Sequence, residues 1–396
     1  MERVIIISCV FPPEPVVSAR LSDDIFQAIK KDGLCVRVLH PKATRPNGYL
    51  FDTPISLGAD EIVLDSFTCP KSSLYGRFKE SYSFGKATAQ YIKQHHQEIG
   101  VIYANTWPLF GQYFFAKAAK KYGIPYYIHI QDIYPESYCY KMPKVLGSIL
   151  HKLLLPIDKY VLRNARDVIV ISPSMIPYLS RTRGVDASKF TLVRNWQDDK
   201  AYIDAYKPLV NKGEVCHIMY LGSINPTANV ALIIKACEKL GHTQFRLSII
   251  GNGSEKENCM SLAKQLGLNV SFNTVAPERV AEIQGTADVL VLCLKTSVAK
   301  TATPSKLTAY MLSGRPIIAS VDLDSDCANI IKEADCGIVV EPDNEIALSN
   351  AIRELSQKSV DALNEMGKAA FDYAVEHLSK ERNLSILTNL ITQENK

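Results

Sequence analysis

The chain has 396 residues, 47% of them hydrophobic and 22% charged, which is typical of a soluble globular protein and too long for one ordinary core. Its formal net charge of +4 is uneven, because residues 1–200 hold 26 basic and 18 acidic residues, a net charge of +8. No run approaches the roughly 18 apolar residues of a membrane span, and the ten scattered cysteines form no Cys-x-x-Cys pair, so we expect a cytoplasmic protein with reduced thiols and no signal peptide.

The first half of the chain alternates short apolar strands with amphipathic helices. The predicted strands are Val4–Val10, Cys35–Leu39, Ile62–Leu64, Val101–Ala104, Pro125–Ile130, Asp167–Ile171 and Phe190–Val193. The predicted helices are Ser18–Lys31, Leu74–His96, Pro108–Tyr122, Val145–Asn164 and Pro173–Arg181. Strands separated by helices predict a parallel sheet that is covered on both faces.

A polar segment at residues 197–214 predicts a domain linker, after which the second half repeats the same rhythm. Its predicted strands are Val215–Leu221, Phe245–Ile250, Val270–Phe272, Asp288–Leu294, Pro316–Val321 and Gly337–Val340. Its predicted helices are Asn229–Leu240, Glu255–Leu266, Pro277–Gln284, one that opens at residues 303–305, Ser325–Glu333, Glu345–Gln357, Asp361–Glu376 and Lys380–Thr392.

The predicted fold class is α/β, with two doubly wound, Rossmann-like parallel-sheet domains. We place the domains at residues 1–198 and 199–375, followed by a helical tail at 376–396 that is expected to pack on the first domain. The loops at the carboxyl ends of both sheets are expected to line one cleft, because ligands bind at such crevices.

The strongest chemical signal lies at the start of the helix that opens at residues 303–305. Thr303 or Ser305 can cap this helix, Pro304 suits its first turn, and Gly314 can end it. Lys306 lies in the first turn, where free N–H groups and the helix dipole attract anions. A capped surface helix with a solvated lysine is the alternative; the position favours a diphosphate site.

Two glycine-rich turns in the same half follow predicted strands, at Gly222-Ser223 and at Gly251-Asn252-Gly253. Glycine lets backbone N–H groups approach a phosphate or a base closely. A tight strand-to-helix turn is the alternative for each turn alone, but together with Ser305-Lys306 they favour a bound nucleotide. The Gly-x-Gly-x-x-Gly and Walker patterns are absent from the sequence, which argues against dinucleotide chemistry and ATP hydrolysis.

Polar residues also follow a strand of the first half. Gln131 and Asp132 can hydrogen-bond a polyhydroxyl ligand, although Asp132 or Glu136 can alternatively cap the next segment. His129 lies two residues before Gln131 and therefore on the same strand face, where we expect a core histidine rather than a catalyst.

Three further features of the first half are candidate contacts, and two of them have an alternative interpretation. Arg20 is a cation near a helix N-terminus, like Lys306, and Asn195 is either a sugar or phosphate contact or a turn residue before the linker. The segment Tyr138–Arg163 mixes leucines and lysines, so it is either an amphipathic helix on an anionic membrane or an ordinary helix packed on a sheet. No His, Cys, Asp and Glu set has metal-ligand spacing, so no metal is expected.

On these motifs the chain resembles the retaining glycosyltransferases of family four, the group 1 transferases, which have the GT-B fold. The resemblance covers nearly the whole chain. It rests on Phe11-Pro12-Pro13-Glu14-Pro15, Gln131-Asp132-x-x-Pro135-Glu136-Ser137, Val170-Ile171-Ser172, Arg194-Asn195-Trp196, Tyr220-Leu221-Gly222, Ile249-Ile250-Gly251-Asn252-Gly253, Pro304-Ser305-Lys306 and Gly314-Arg315-Pro316-Ile317-Ile318. The last two segments resemble the donor-phosphate helix of the polysaccharide-assembly branch, which includes capsule and O-antigen enzymes.

The sequence departs from the family pattern at three places. The usual Gly-Gly after the first strand is Val16-Val17, and Ser223 stands where an arginine often follows the first donor-domain glycine. The Glu-x7-Glu motif falls on Thr301 and Ala309, and in the family its second glutamate holds the donor ribose. The resemblance therefore leaves the ribose contact of this chain unassigned.

The resemblance implies a metal-independent, cofactor-free glycosyltransferase of the hexosyl or N-acetylhexosaminyl type. It would move a sugar from a nucleotide diphosphate sugar to a lipid-linked saccharide with retention of configuration. The implied catalytic residues are Lys306, Asp132, Gln131 and Arg20. The implied donor-binding residues are Gly222, Ser223, Gly251, Asn252, Gly253, Ser305 and Leu307, and the sugar or acceptor contacts are Asn195 and Glu136.

We expect the protein at the inner face of the cell membrane, with a peripheral membrane contact and no nucleic-acid partner. Two alternatives to a transferase stay open. One is a nucleotide-sugar epimerase on the same two-domain frame. The other is a catalytically silent subunit that binds a nucleotide sugar or a glycan within an assembly complex.

Overall fold

The structure is a computed structural model that describes residues 3–45, 58–70, 73–105, 109–139, 142–210, 213, 215–240, 245–296 and 305–392. The chain divides into two compact units. The first unit comprises Met1–Arg194 with Leu384–Lys396, and the second comprises Asn195–Asn383. Within the described ranges, no helix is both long enough and apolar enough to cross a membrane.

Parallel strands separated by helices build the first unit. Its strands are β1 (Arg3–Ile7), β2 (Val36–Pro41), β3 (Glu61–Leu64), β4 (Ile99–Asn105), β5 (Tyr126–Ile130), β6 (Asp167–Val170) and β7 (Phe190–Leu192). Its helices are α1 (Val17–Lys31), α2 (Leu74–His95), α3 (Leu109–Tyr122), α4 (Glu136–Cys139), α5 (Lys144–Asn164) and α6 (Met175–Leu179).

The strand order of this sheet is β3-β2-β1-β4-β5-β6-β7, with parallel pairing throughout. The first strand lies between β2 and β4, so the topological switch point is at the carboxyl ends of β1 and β4, where open α/β sheets bind ligands. Ile5, Ile102 and Ile128 are wholly buried, as expected for strands that helices cover on both faces.

The second unit repeats this architecture with six strands in the described residues. They are β8 (Cys216–Leu221), β9 (Phe245–Ile250), β10 (Val270–Asn273), β11 (Val289–Cys293), β12 (Ile317–Ser320) and β13 (Gly337–Val340). The helices from here to the end of the chain are α7 (Lys200–Ala205), α8 (Val230–Glu238), α9 (Lys256–Gln265), α10 (Val280–Gln284), α11 (Ser305–Leu312), α12 (Asp326–Glu333), α13 (Glu345–Gln357), α14 (Val360–Tyr373) and α15 (Lys380–Thr392). The strand order is β10-β9-β8-β11-β12-β13, which places the switch point at the carboxyl ends of β8 and β11.

The predicted fold class, two doubly wound parallel-sheet domains, is confirmed. The first strand is shorter than predicted and ends at Ile7 instead of Val10. The Ser8 amide still donates to the carbonyl oxygen of Leu39 at 3.0 Å, but the backbone bends at Cys9, and the Ser8 hydroxyl donates to the carbonyl oxygen of Val10 at 2.7 Å across this bend.

The predicted linker contains ordered structure that the sequence did not indicate. Helix α7 lies within it, and the Tyr206 ring that follows stacks on Phe371, with the centroids 4.0 Å apart. The side chain of Asn364 exchanges two hydrogen bonds with the backbone of Leu209, at 2.7 and 2.8 Å. The described part of this segment is therefore packed against the second unit. As predicted, Gly314 ends helix α11 with a left-handed φ of +63°.

Candidate functional site

The turns that follow β8 and β9 lie against each other at the carboxyl edge of the second unit. The Gly222 amide donates to the carbonyl oxygen of Ile250 at 2.8 Å, and the Ile224 amide donates to that of Asn252 at 2.9 Å. A Cβ atom at Gly251 would lie 1.9 Å from the carbonyl oxygen of Gly222. Only glycine therefore permits this close approach.

Helix α11 sends Lys306 across the first of these turns. The Nζ atom of Lys306 lies 2.6 Å from the Tyr220 hydroxyl oxygen and 3.3 Å from the carbonyl oxygen of Ser223. The Tyr220 hydroxyl donates to the same Ser223 carbonyl at 2.6 Å. A Cβ atom at Gly222 would lie 2.2 Å from Cε of Lys306, so the lysine passes directly over the glycine. Lys306, Tyr220 and Ser223 are called the lysine cluster below.

The ammonium group of Lys306 has no carboxylate partner in the described part of the chain. Burial lowers its pKa to about 8, because a charged amine loses solvation when it is shielded from water. A partly buried cation without a counter-ion is costly for the free protein, and an anion that binds beside it recovers that cost. The arrangement can therefore bind an anion.

Backbone amides at this edge differ in their availability to a ligand. The amides of Gly222 and Gly251 already donate to the carbonyl oxygens of Ile250 and Asn273, at 2.8 and 2.9 Å. These two amides are therefore already used within the fold, and the donor-binding roles of Gly222 and Gly251 stay predictions. The Ser223 amide, by contrast, has no partner among the residues that the structure describes.

Helix α11 begins at Ser305, and the amides of its first turn have no partners within the helix. The side chain of Leu307 is wholly buried, so this residue can reach a ligand only through its backbone. The candidate cap Thr303 and the first-turn proline Pro304, together with Thr301, lie outside the described residues. Ala309, which replaces the ribose glutamate of the family pattern, is buried and offers no side-chain acceptor.

In the first unit, Gln131 is connected to a chain of hydrogen-bonding side chains. Its Nε2 atom lies 3.2 Å from Nε2 of His129, and Nδ1 of His129 lies 2.8 Å from the Tyr103 hydroxyl oxygen. Tyr103 donates to Oδ1 of Asn105 at 2.7 Å, and Nδ2 of Asn105 donates to Oγ of Ser22 at 2.6 Å. This chain runs along the carboxyl edge from α1 to the residue that follows β5.

The imidazole of His129 is a poor candidate for acid–base catalysis. It is 1% exposed, and burial lowers its pKa to about 3, so the ring is uncharged at neutral pH. An efficient general base has a pKa near the working pH. The structure thus agrees with the expectation of a core histidine, and its contacts make it a support for Gln131.

Three predicted residues lie at exposed positions and stay predictions. Asp132 follows Gln131, and Arg20 lies in the first turn of α1, which contains no acidic residue. Asn195 is the first residue of the second unit. Within the described residues, the side chains of Arg20 and Asp132 have no hydrogen-bond or ion-pair partner, which leaves them available to a ligand.

Glu136 has a structural position that corrects its predicted sugar contact. Its Oε2 lies 2.5 Å from Nη2 of Arg183, and its Oε1 accepts from Nη1 of Arg183 at 2.7 Å and from the Tyr178 hydroxyl at 2.8 Å. Arg183 is wholly buried and also contacts Asp158, with Nε 2.6 Å from Oδ2. Burial raises the pKa of Glu136, but the bonds from Arg183 and Tyr178 outweigh it and lower the pKa to about 2. Both carboxylate oxygens are occupied.

Sequence reasoning missed Tyr220, Tyr103 and Asn105 as site residues. Both tyrosines lie inside apolar strands, where an aromatic residue usually signals core packing. The available signal was position, because Tyr220 lies two residues before a glycine turn and Asn105 ends a strand at the switch point. Among the described residues, no group of three or more His, Cys, Asp and Glu could hold a metal ion.

Two family models match the chain, and together they span most of it. The model "Glycosyl transferases group 1" matches residues 207–373, and "Glycosyltransferase Family 4" matches residues 19–200. The chain belongs to the group 1 glycosyltransferases. The first match contains both glycine turns and the lysine cluster, and the second contains Gln131 and its hydrogen-bonding partners.

Individual relatives are distant. The chain is 20% identical to the probable glycosyltransferase WbjE of Pseudomonas aeruginosa over 282 residues, which cover 68% of this chain and 70% of WbjE. Its structure is similar to the lipopolysaccharide outer core galactosyltransferase WaaB, with a TM-score of 0.68, 15% identity and full coverage of both chains. It is also similar to Anabaena HepE solved with UDP, with a TM-score of 0.66, 13% identity, and coverage of 99% and 100%. At such identities the structures establish the fold, which is GT-B.

Proposed function

We propose that this group 1 glycosyltransferase moves a sugar from a nucleotide diphosphate sugar to a saccharide acceptor with retention of configuration. The observation that carries the proposal is the ammonium of Lys306, which lies over Gly222 without a carboxylate partner in the described residues. A partly buried cation at the switch point of a doubly wound sheet is suited to a diphosphate.

The donor diphosphate would contact Lys306, the Ser223 amide and the first amides of helix α11, including those of Ser305 and Leu307. The glycine turns, Gly222 and Gly251-Asn252-Gly253, would keep this edge free of side chains so that the nucleotide can lie close to the backbone. The dipole of α11 adds to the attraction, because it is positive at the end where Lys306 lies.

The same groups would lower the barrier of transfer. As the bond between the anomeric carbon and the phosphate oxygen breaks, the diphosphate gains negative charge, which Lys306 and these amides stabilise more strongly than the ground state. The acceptor oxygen forms the new bond to the anomeric carbon, and its proton passes to the departing phosphate oxygen on the same face. This mechanism needs no protein nucleophile and no metal.

The first unit would orient the sugar and the acceptor. Gln131 is held by the chain through His129 and Tyr103, so its amide has a defined position at the carboxyl edge. Asp132 and Arg20 are exposed at the same edge of the sheet. We propose that Gln131 and Asp132 bind hydroxyl groups of the sugar or the acceptor. Arg20 would bind the negative charge of the donor, and Asn195 would contact the sugar or a phosphate.

The comparisons support a more specific donor and acceptor. HepE has been solved with UDP and glucose, and WaaB is a galactosyltransferase of the lipopolysaccharide outer core. By analogy we propose a UDP-hexose or UDP-N-acetylhexosamine as donor and a lipid-linked saccharide of a surface polysaccharide as acceptor. The protein would then work at the cytoplasmic face of the membrane.

A thermal-shift panel of nucleoside diphosphates and their sugars tests the donor assignment. A ligand that binds the folded state raises the melting temperature, and at a fixed concentration the rise is larger for a tighter ligand, growing with the logarithm of the ratio of concentration to Kd. We expect UDP and one UDP-sugar to stabilise the protein more than the adenosine, guanosine and thymidine diphosphates. A panel without any stabilising nucleotide would contradict the proposal. Proton NMR of the first transfer product then decides between retention and inversion.

One observation favours a second candidate, a catalytically silent subunit that binds a nucleotide sugar. Ala309 and Ser223 replace side chains with which the family pattern holds the donor, and Ala309 is buried. Calorimetry would distinguish the two functions. Tight binding of a UDP-sugar, with neither hydrolysis nor transfer to any lipid-linked saccharide, would favour the silent subunit.

Helix α5 offers a surface for the membrane contact that a lipid-linked acceptor requires. Val145, Ile149 and Leu153 recur at every fourth position and are 76%, 53% and 66% exposed. Lys144 and Lys152 are exposed beside this apolar stripe. An amphipathic helix with exposed apolar residues and flanking lysines can lie in the interface of an anionic bilayer. This favours the membrane alternative for the predicted segment Tyr138–Arg163.

Vesicle co-sedimentation tests this contact. The wild-type chain should sediment with vesicles of phosphatidylglycerol and phosphatidylcholine and should remain in solution with phosphatidylcholine alone. The triple variant Val145→Ser, Ile149→Ser, Leu153→Ser should lose most of this binding. Ile346→Ser, which removes an equally exposed apolar side chain from α13, is the matched control. Equal sedimentation of all three chains would refute the membrane contact. If light scattering shows a dimer that the triple variant loses, the apolar stripe binds a second copy of the chain instead.

A further inference from the structure

The buried hydroxyl group of Tyr220 links the two parts of the lysine cluster. Tyr220 is 0% exposed, and its hydroxyl accepts from Nζ of Lys306 and donates to the Ser223 carbonyl, both at 2.6 Å. The ammonium also lies 4.9 Å from the centroid of the Tyr220 ring, within the range of a cation–π interaction. One side chain thus fixes both the cation and the turn that it crosses.

These contacts restrict the position of the Lys306 ammonium more than its attachment to helix α11 alone would. A lysine has four rotatable side-chain bonds, and a free ammonium would sample many positions. Here the side chain extends over Gly222, where a Cβ atom would lie only 2.2 Å from its Cε, and ends at the Tyr220 hydroxyl. A cation that is fixed before the ligand arrives loses less conformational entropy on binding.

We propose that Tyr220 is a positioning residue that holds the Lys306 ammonium over Gly222 in its charged form for the donor diphosphate. This inference rests on the proposed function, because it deepens the role of Lys306. Tyr220 itself would not contact the donor. Its hydroxyl stabilises the protonated amine as a hydrogen-bond acceptor, and its ring stabilises the positive charge.

The other titratable groups around Lys306 do not replace this contribution. Cys293 on β11 is the titratable group that could add to the stability of the Lys306 charge. Burial keeps the pKa of its thiol well above the ordinary range, so the thiol stays neutral. Tyr310 on α11 is also buried, which likewise raises its pKa, and its hydroxyl is bonded to the Leu221 backbone at 2.9 and 3.0 Å. Among the described residues, Tyr220 therefore provides the side-chain acceptor for the amine.

Calorimetric titration of UDP between pH 6.5 and 9.5 tests the inference. For the wild-type chain, affinity should begin to fall near pH 8, where Lys306 loses its proton. Tyr220→Phe keeps the ring and removes the acceptor, so the fall should begin about one pH unit lower, as expected for a hydrogen bond to a charged group. Tyr310→Phe removes a buried hydroxyl from the same region, one that does not contact Lys306. Its UDP affinity should therefore fall at the same pH as that of the wild type.

Gly222→Ala gives an independent test, since its Cβ atom would push the ammonium away from Tyr220. It should weaken UDP binding at pH 7 at least tenfold while the melting temperature stays within a few degrees of the wild type. If Tyr220→Phe and Tyr310→Phe have the same pH profile as the wild type while Lys306→Ala binds UDP at least tenfold more weakly, the positioning role is wrong and the proposed function stands. If Lys306→Ala binds UDP like the wild type, the proposed function itself fails.

Discussion

The ammonium nitrogen of Lys306 lies 3.3 Å from the carbonyl oxygen of Ser223, the residue at which the family pattern has an arginine. The positive charge is therefore present at this turn although the turn itself supplies none. It comes from helix α11, 83 residues later in the chain, and passes over Gly222 to reach the same place. The departure at Ser223 thus has a structural counterpart in Lys306.

The first prediction concerns the proton of Lys306. The pKa of this amine is lowered to about 8, and a bound diphosphate would raise it again, because an adjacent negative charge favours the charged form. At pH 8.5, where the free amine is mostly neutral, UDP binding should take up a large fraction of one proton. Calorimetry in two buffers with different ionisation enthalpies measures this uptake. Lys306→Arg, which stays charged, should bind UDP without it, and equal uptake in both chains would contradict the assignment.

The second prediction concerns the contact between the glycine turns. Gly251→Ala would place a Cβ atom 1.9 Å from the carbonyl oxygen of Gly222, so the two turns must separate. We expect UDP affinity to fall at least tenfold, which calorimetry measures. Gly267→Ala is the matched control, because Gly267 also has a positive φ of +66° but no atom within 4 Å of the added Cβ. It should lose about 1 kcal/mol of stability and keep its affinity; an equal loss of affinity in both variants would argue against a role of the turns.

The third prediction concerns the buried ion pairs of Arg183. Arg183→Ala leaves the carboxylates of Glu136 and Asp158 buried without their common partner. Breaking such a cluster from one side costs about 3–5 kcal/mol of unfolding free energy, which urea denaturation measures. Arg181→Ala, an exposed arginine two residues earlier, should change the unfolding free energy by less than about 0.5 kcal/mol. Similar small effects of both variants would show that the cluster is not structural.

The fourth prediction concerns the support of Gln131. Tyr103→Phe removes the hydroxyl that contacts Asn105 and His129, so Gln131 loses its fixed position. The turnover number should fall about tenfold while UDP affinity is unchanged, since the donor contacts lie in the other unit. Tyr126→Phe also removes a buried hydroxyl from the first unit, one that donates to the Val161 carbonyl at 2.5 Å. It should lose comparable stability, about 1–3 kcal/mol, with normal turnover. Equal turnover in the two variants would show that the Tyr103 hydroxyl does not hold Gln131 in place for transfer.

Much of the fold was predictable because its signals are local. Apolar runs of four to seven residues between amphipathic helices indicate a covered parallel sheet, and Gly314 marks the end of helix α11 through its φ of +63°. Helix α7 was not predictable, because its stability depends on contacts such as the stacking of Tyr206 on Phe371, 165 residues away in the sequence. Short helices owe their existence to such packing rather than to local propensity.

The candidate site divides in the same way. Lys306 and the glycine turns were predictable, because a cation in the first turn of a helix and glycines directly after strands indicate an anion site from their local sequence positions alone. Glu136 was assigned wrongly, because its partner Arg183 lies 47 residues later and nothing near Glu136 announces it. Tyr220 was missed because a tyrosine in a buried strand usually indicates core packing. Its contact with Lys306, 86 residues later, becomes visible only in the structure.

The most direct test of the account is calorimetric titration of UDP into the wild-type chain, Lys306→Ala and Lys264→Ala at pH 7. Lys264 is an exposed lysine on α9 without a role in the proposed site, so its variant controls for the loss of one positive charge. Removing a charged hydrogen-bond partner of the diphosphate should cost about 1.5–3 kcal/mol. We therefore predict that Lys306→Ala binds UDP about 10- to 150-fold more weakly than the other two chains. Equal affinity in all three chains would contradict the central claim that Lys306 holds the donor diphosphate.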